Sequence, residues 1–507
     1  MPPESIAELT RLRPDEVAAA RLKRIGVIDV GSNSVRLVVF DGMARSPAYF
    51  FNEKVLCGLG AGLGETGVLS PAGRVRALAT LGRFAALAAG MQLSGLISIA
   101  TAAVRSAADG PAFCDEVERE TGLQLHVASG SEEARLAAKG VLVGWPGADG
   151  LVCDMGGASM EVAHLAGGEI RACATAPLGP LQLADIPDPA RREKAIRKGV
   201  KAVRKAVPSA GQRLFLVGGS WRAIARLDME RIGYPLKVLH AYAPPMAQLV
   251  ETLKWIPAQD QARLSALTGT SAARLSLIPL ASEVLAELLR RLEPASIAVS
   301  AYGLREGLLY RQMPEAMRLR DPLIEACRHM EVAAARAPGF GAALDAWLGE
   351  FNADRSPEER RLILAACLLH DVNWRAHPDY RADLCFESVT RANLAGVDHA
   401  DRIFLGLALI NRYRTMTPAE EVAQCHGLLS SERAGEAVVL GRAMRLGAML
   451  SGSSTGALDH ASLGRKGERL VLTLRGAGRA FAGEVVERRL QSLAERVGCR
   501  AEIVLED

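Results

Sequence analysis

Two short segments of this 507-residue chain repeat each other. The first runs Gly26-Val27-Ile28-Asp29-Val30-Gly31-Ser32-Asn33-Ser34-Val35-Arg36-Leu37-Val38-Val39. The second runs Leu151-Val152-Cys153-Asp154-Met155-Gly156-Gly157-Ala158-Ser159-Met160-Glu161-Val162-Ala163. With Asp29 aligned on Asp154, Gly31 falls on Gly156 and Ser34 on Ser159. Each copy is an apolar run, an Asp, a polar glycine-bearing turn and a second apolar run, the pattern of a β-hairpin. A chain carrying two such hairpins in register is expected to fold as two related lobes. Two unrelated hairpins that share Asp-x-Gly are the plainer alternative, and the register argues against it.

The residue types carry chemistry. Glycine lets a backbone approach a ligand closely and adopt positive φ. Successive N–H groups in such a turn form a concave anion site. A carboxylate beside that turn would repel a phosphate unless a divalent cation sat between them. Mg²⁺ is commonly held by one or two carboxylates, with phosphate oxygens and water completing its shell. Asp29 and Asp154 are therefore candidate metal ligands at a phosphate cleft between the lobes.

This pair of turns resembles the two phosphate loops of the actin, sugar kinase and chaperone ATPase superfamily. Within it the sequence is similar to the exopolyphosphatase / guanosine pentaphosphatase (Ppx/GppA) family. That family's first loop, Asp-x-Gly-Ser-Asn-Ser, matches Asp29 to Ser34. Its second, Asp-x-Gly-Gly-Gly-Ser-Thr-Glu, matches Asp154 to Glu161, with Ala158 in place of the third glycine and Met160 in place of the threonine. If that third glycine is left-handed in the family, the second loop here must differ slightly. The resemblance covers residues 25 to 312 and implies an α/β fold of two actin-like (ribonuclease H-like) lobes around a phosphate cleft. A mainly helical, HD-like domain and a small C-terminal α/β unit follow. The expected boundaries are 1–24 for an N-terminal extension, 25–143 and 144–312 for the lobes, and 313–507 for the rest.

Further motifs fill in the site. Ser129-Gly130-Ser131-Glu132-Glu133-Ala134-Arg135 ends a strand and starts a helix with two acids in its first turn. Taken alone, those acids suit the helix macrodipole. The family resemblance implies that Glu133 is the general base, with Glu132 as the fallback, and that Arg105 holds a phosphate oxygen. It also places Glu161 with Asp29 and Asp154 at the metal, in a role that could instead be positioning water. The phosphate-binding set is Gly31, Ser32, Asn33, Ser34 and Arg36 from the first hairpin, and Gly156, Gly157, Ala158 and Ser159 from the second. A strand running into Gly218-Gly219-Ser220 suits a third phosphate edge or simple strand-on-helix packing, and the family has a similar turn there. Tyr302-Gly303-Leu304-Arg305-Glu306-Gly307 resembles the family segment in which a helix closes the second lobe.

Residues 191 to 205 hold eight basic residues against Glu193 alone. Steps of three and four place Lys194, Arg197, Lys198, Lys201 and Lys205 on one helical face. That face is either a solvated surface or a landing strip for a polyanion. Cys367-Leu368-Leu369-His370-Asp371 ends an apolar helix with the His-Asp pair of HD-type metal phosphohydrolases. His329 upstream and Asp398 or Asp401 downstream are weak candidates to complete such a site.

The length calls for more than one domain. Net charge is +4, too mild to imply nucleic acid binding. Nine scattered cysteines without a Cys-x-x-Cys pair indicate neither zinc nor a disulfide framework and read as reduced cytoplasmic thiols. No apolar run reaches membrane-spanning length. Met1 to Lys23 mixes charges of both signs and reads as a helical extension rather than a signal peptide.

The function expected is a Mg²⁺-dependent hydrolase, with Mn²⁺ as the alternative ion, removing terminal phosphates processively from inorganic polyphosphate through a Glu-activated water. Guanosine pentaphosphate hydrolysis, an ATP-dependent kinase or ATPase, and a non-catalytic polyphosphate or alarmone sensor are the alternatives. The resemblance further implies a homodimer.

Overall fold

The computed structural model describes residues 24–42, 44–208, 211–268, 275–414 and 425–507. The expected N-terminal extension lies almost wholly outside them. Two compact units are present, one ending at Arg320 and one running Asp321–Asp507.

The first unit contains two five-stranded sheets of identical topology. In the first, β1 (Ile25–Val30) pairs antiparallel with β2 (Ser34–Phe40), which pairs with β3 (Tyr49–Leu56). On its other side β1 runs parallel to β4 (Gly95–Ala100), followed by β5 (His126–Val127). The second sheet repeats this with β6 (Gly150–Met155), β7 (Met160–Ala166), β8 (Glu169–Ala176), β9 (Arg213–Val217) and β10 (Ser296–Val299). The repeat extends to single residues. Asp29 pairs across its hairpin with Arg36, and Asp154 pairs with Glu161. The turns close alike, Gly31 N–H donating to Ser34 O at 2.9 Å and Gly156 N–H to Ser159 O at 3.0 Å.

The strands form where they do because β1 and β6 are apolar on both faces, buried at almost every position except the two aspartates. The helix Pro71–Gly90 starts as its sequence dictates, Ser70 capping Gly73 N–H at 3.2 Å with Pro71 at the first turn. It covers β2 and the helix Gly110–Thr121 through Ala77, Leu81 and Phe84.

The helix Gly130–Gly144 crosses the helix Leu304–Gln312 backbone to backbone. A methyl on Gly307 would lie 1.8 Å from Leu136 O, and one on Gly140 would lie 2.2 Å from Gly303 O. Those two glycines bring Glu133 and Arg305, on different helices, to one cleft.

The second unit is helical from Pro322–Ala334 to Ser431–Ser451. It ends in a three-stranded sheet of β11 (Ala461–Lys466), β12 (Arg469–Arg475) and β13 (Arg500–Glu506), with the helix Glu484–Arg496 between the last two strands. This is the small C-terminal α/β unit that the sequence leads one to expect, and Gly464 and Arg465 dilute the strand signal of β11. All nine cysteines are free thiols. Among the described residues no helix is long and apolar enough to cross a membrane.

Candidate active site

The two Asp-bearing turns open onto one cleft of about 540 Å³. Asp29, Gly31, Ser32, Asn33, Ser34 and Arg36 line it from the first lobe, and Asp154, Gly156, Gly157, Ser159 and Glu161 from the second. Gly218, Gly219 and Ser220 form a third edge, and Glu133 faces in from its helix. Arg222 and Arg305 also line it, and the sequence assigns neither of them a role at the site.

The turn glycines act through space rather than through φ. None of Gly31, Gly156, Gly157 and Ala158 is left-handed. The alanine therefore sits in its loop without strain, and the expected alteration of the second loop does not arise from φ. A methyl on Gly157 would lie 3.0 Å from Leu181 and 3.3 Å from Ser32, so small residues keep the two loops close. The left-handed requirement falls on Gly218, with φ of 110°. A side chain there would also meet Asp154 Oδ1 at 2.7 Å.

Four carboxylates share this cleft. Burial pushes Asp154 up to about 6, with Arg222 opposing and Asp29 adding to the rise. Asp29 is raised by the same cause, against the pull of Arg305 and Arg36. Glu133 and Glu161 are both buried, at 8% and 3% exposure, and both are raised, by burial first. Their mutual repulsion adds to the rise of Glu161. Thr175 Oγ1 donates to Glu161 Oε1 at 3.1 Å. No group of three His, Cys, Asp or Glu among the described residues closes into a metal cage. Glu161 shares the cleft with Asp29 and Asp154.

Cations gather opposite the acids. Arg305 Nη1 donates to Asp29 Oδ2 at 3.3 Å, while its Nε is buried with no partner. Arg222 Nη1 donates to Ala301 O at 2.9 Å. Arg36 is lowered to about 10 by burial and then by the charges of Arg305 and Arg222. Arg222 is lowered too, by burial first and then by the charge of Arg305, and two such guanidiniums beside an orphaned donor on Arg305 make a site that an oxyanion would relieve.

Arg105 is placed differently from expectation. It donates to Glu133 Oε1 and, at 2.6 Å, to Ala128 O, and it is not among the residues lining the cleft. It holds Glu133 in position. Glu132 also turns away from the cleft, meeting His126 Nε2 at 2.8 Å and Arg311 Nη1 at 3.0 Å. Helical geometry explains the split, because adjacent residues point about 100° apart and only one of the two acids can face inward. Lys194, Arg197, Lys198, Lys201 and Lys205 are all exposed on the helix Pro189–Ala206 and none lines the cleft.

In the second unit, both Asp371 oxygens are held by Arg336, at 2.7 and 2.8 Å. Asp398 caps the helix His399–Tyr413, and Asp401 pairs with Arg433 at 3.1 Å. These acids are committed to structural contacts.

Residues 38–316 match the Ppx/GppA phosphatase family, and residues 323–504 match the C-terminal model of exopolyphosphatase. The chain belongs to the Ppx/GppA phosphatase family. It is a hydrolase of the phosphatase type. Exopolyphosphatase 1 of Mycobacterium tuberculosis is 30% identical over 306 residues, covering 57% of this chain and 88% of that protein. Exopolyphosphatase 2 of the same organism is 25% identical over 312 residues, covering 57% and 98%. A crystal structure of an exopolyphosphatase from Cytophaga hutchinsonii superposes with a TM-score of 0.52 at 26% identity, covering 57% of this chain and 97% of that one.

Proposed function

We propose that this phosphatase removes the terminal phosphate of inorganic polyphosphate by direct attack of water. The observation that carries the reading is the convergence, in one cleft, of a buried carboxylate on Glu133 with three guanidiniums and two mirrored Asp-bearing turns. Arg36, Arg222 and Arg305 would neutralise and orient the terminal phosphate oxygens, with turn N–H groups of both loops as further donors. Glu133, held by Arg105, would accept a proton from water as the water oxygen bonds to phosphorus. The anhydride bond to the rest of the chain breaks, releasing orthophosphate and a chain one unit shorter. Phosphoryl transfer depends mainly on positioning and charge neutralisation, which these groups supply.

The donor set suits Mg²⁺. Two carboxylates, Asp29 and Asp154, face a roomy anion cleft, which matches an ion that keeps waters and phosphate oxygens in its shell rather than one needing an all-protein cage. When bound there, the ion would neutralise charge on the phosphate oxygens. Inorganic chain is favoured over a guanosine nucleotide because no aromatic side chain is among the described residues lining the cleft, leaving a guanine ring without a stacking partner.

The test measures phosphate release from long-chain polyphosphate and from guanosine pentaphosphate, with Mg²⁺ or EDTA, for wild type and Glu133→Gln. Metal-dependent release from polyphosphate, reduced about 10²–10⁴-fold in the variant, is expected. Release from the nucleotide alone would move the substrate. Release undiminished in Glu133→Gln would remove the base assignment.

A further inference from the structure

The second unit contains a cluster of positive charge that nothing in the cleft explains. Gly441 packs the helix Ser431–Ser451 directly on the helix His399–Tyr413, a methyl there falling 2.5 Å from Asn411 Cβ. That contact brings the helix that carries Arg442 and Arg445 against the helix that carries Arg412. Arg442 Nη1 then donates to Ser492 O at 2.7 Å, bringing in the helix Glu484–Arg496. Arg445 lies three residues beyond Arg442, and Arg489 three residues before Ser492, on the facing sides of their helices. Four guanidiniums from three helices thus converge.

Each keeps one buried donor open. Arg412 Nε, Arg442 Nε, Arg445 Nη1 and Arg489 Nε are buried without a hydrogen-bond partner, and Arg412 is only 6% exposed. Among the described residues none of the four makes an ion pair. The charge of Asp371 favours that of Arg412, but both Asp371 oxygens are held by Arg336. Burial and then the charges of Arg489, Arg412 and Arg442 lower Arg445 to about 10. Buried cations are normally paired, and a buried donor left open is costly.

We infer that these four arginines bind a small phosphate-class oxyanion that bridges the three helices. The site is independent of the chemistry in the cleft, and guanidinium forks suit tetrahedral oxyanions.

Orthophosphate binding to the full-length protein tests this by calorimetry, with tripolyphosphate as a second probe to distinguish the free ion from a stretch of chain. Wild type should take up two anions, one in the cleft and one at the cluster. Arg445→Met and Arg489→Gln should each weaken the second event at least ten-fold while leaving the first, and Arg305→Ala should do the reverse. In phosphate-free buffer the thermal midpoint of Arg445→Met should equal or exceed that of wild type, because a repelling charge is gone. Two unweakened events in both cluster variants, or a lowered midpoint without phosphate, would overturn the site. Failure of Arg305→Ala alone would instead count against the cleft.

Discussion

Glu133 is caught between two opposing influences. Burial drives its carboxyl up to about 7, and the Arg105 guanidinium pulls it down through a hydrogen bond and its charge. A base must be ionised to accept a proton, so polyphosphate hydrolysis should rise with pH as Glu133 loses its proton and fall on the acid side. Removing Arg105 removes the opposing pull. The acid limb of kcat/KM for Arg105→Met should therefore move to higher pH than wild type at equal Mg²⁺, with the alkaline rate reduced less than the rate at pH 6. An unmoved limb would mean that Arg105 acts on something other than this proton. The residues that line the cleft were only half legible in sequence. Asp29 and Asp154 were visible because they recur at matched places in a repeat. Arg222 and Arg305 were not, since each is one arginine on a helix whose rotation about its axis only packing fixes. Arg105 was visible, but its partner was not, because Ala128 and Glu133 reach it across the fold.

The crossing of Gly130–Gly144 over Leu304–Gln312 shows how elements place the chemistry. Gly307→Ala puts a methyl against Leu136 O, a backbone atom that cannot rotate away. The helices must separate, at a cost at or above the upper end of about 1–3 kcal/mol for overpacking. The urea midpoint should fall, and KM should rise because Arg305 moves with its helix. Gly82, inside the helix Pro71–Gly90, is the control. The nearest atom to a methyl there is 3.9 Å away, so Gly82→Ala should stabilise by about 0.5–1 kcal/mol. Most elements were legible from apolar runs and caps, as Ser70 and Pro71 mark the start of the helix Pro71–Gly90. The strand that ends at the Ser129-Gly130 motif is only His126–Val127, at a sheet edge where one neighbour supports it. The close helix crossing was invisible, because a glycine signals a close approach without naming its partner.

At the scale of the whole molecule, charge is distributed unevenly. The net charge is only +4, yet the helix Pro189–Ala206 keeps its apolar face of Ile196, Val200 and Val203 in the second lobe's core and turns its lysines outward. Arg197 is paired with Glu193, while Lys194, Lys198, Lys201 and Lys205 make no ion pair among the described residues. A solvated helix face and a polyanion path predict different kinetics. Replacing the four lysines by Gln removes long-range attraction without touching any residue that lines the cleft. If the face gathers a long polyanion, KM for long-chain polyphosphate should rise about ten-fold at low salt and its salt dependence should flatten. If the face acts on the far part of a long chain, tripolyphosphate should keep its KM, and kcat should stay unchanged for both. An equal rise for both substrates would indicate a general field effect. No change for either would leave the helix a solvated surface, with all selection for the polymer made inside the cleft by Arg36, Arg222 and Arg305.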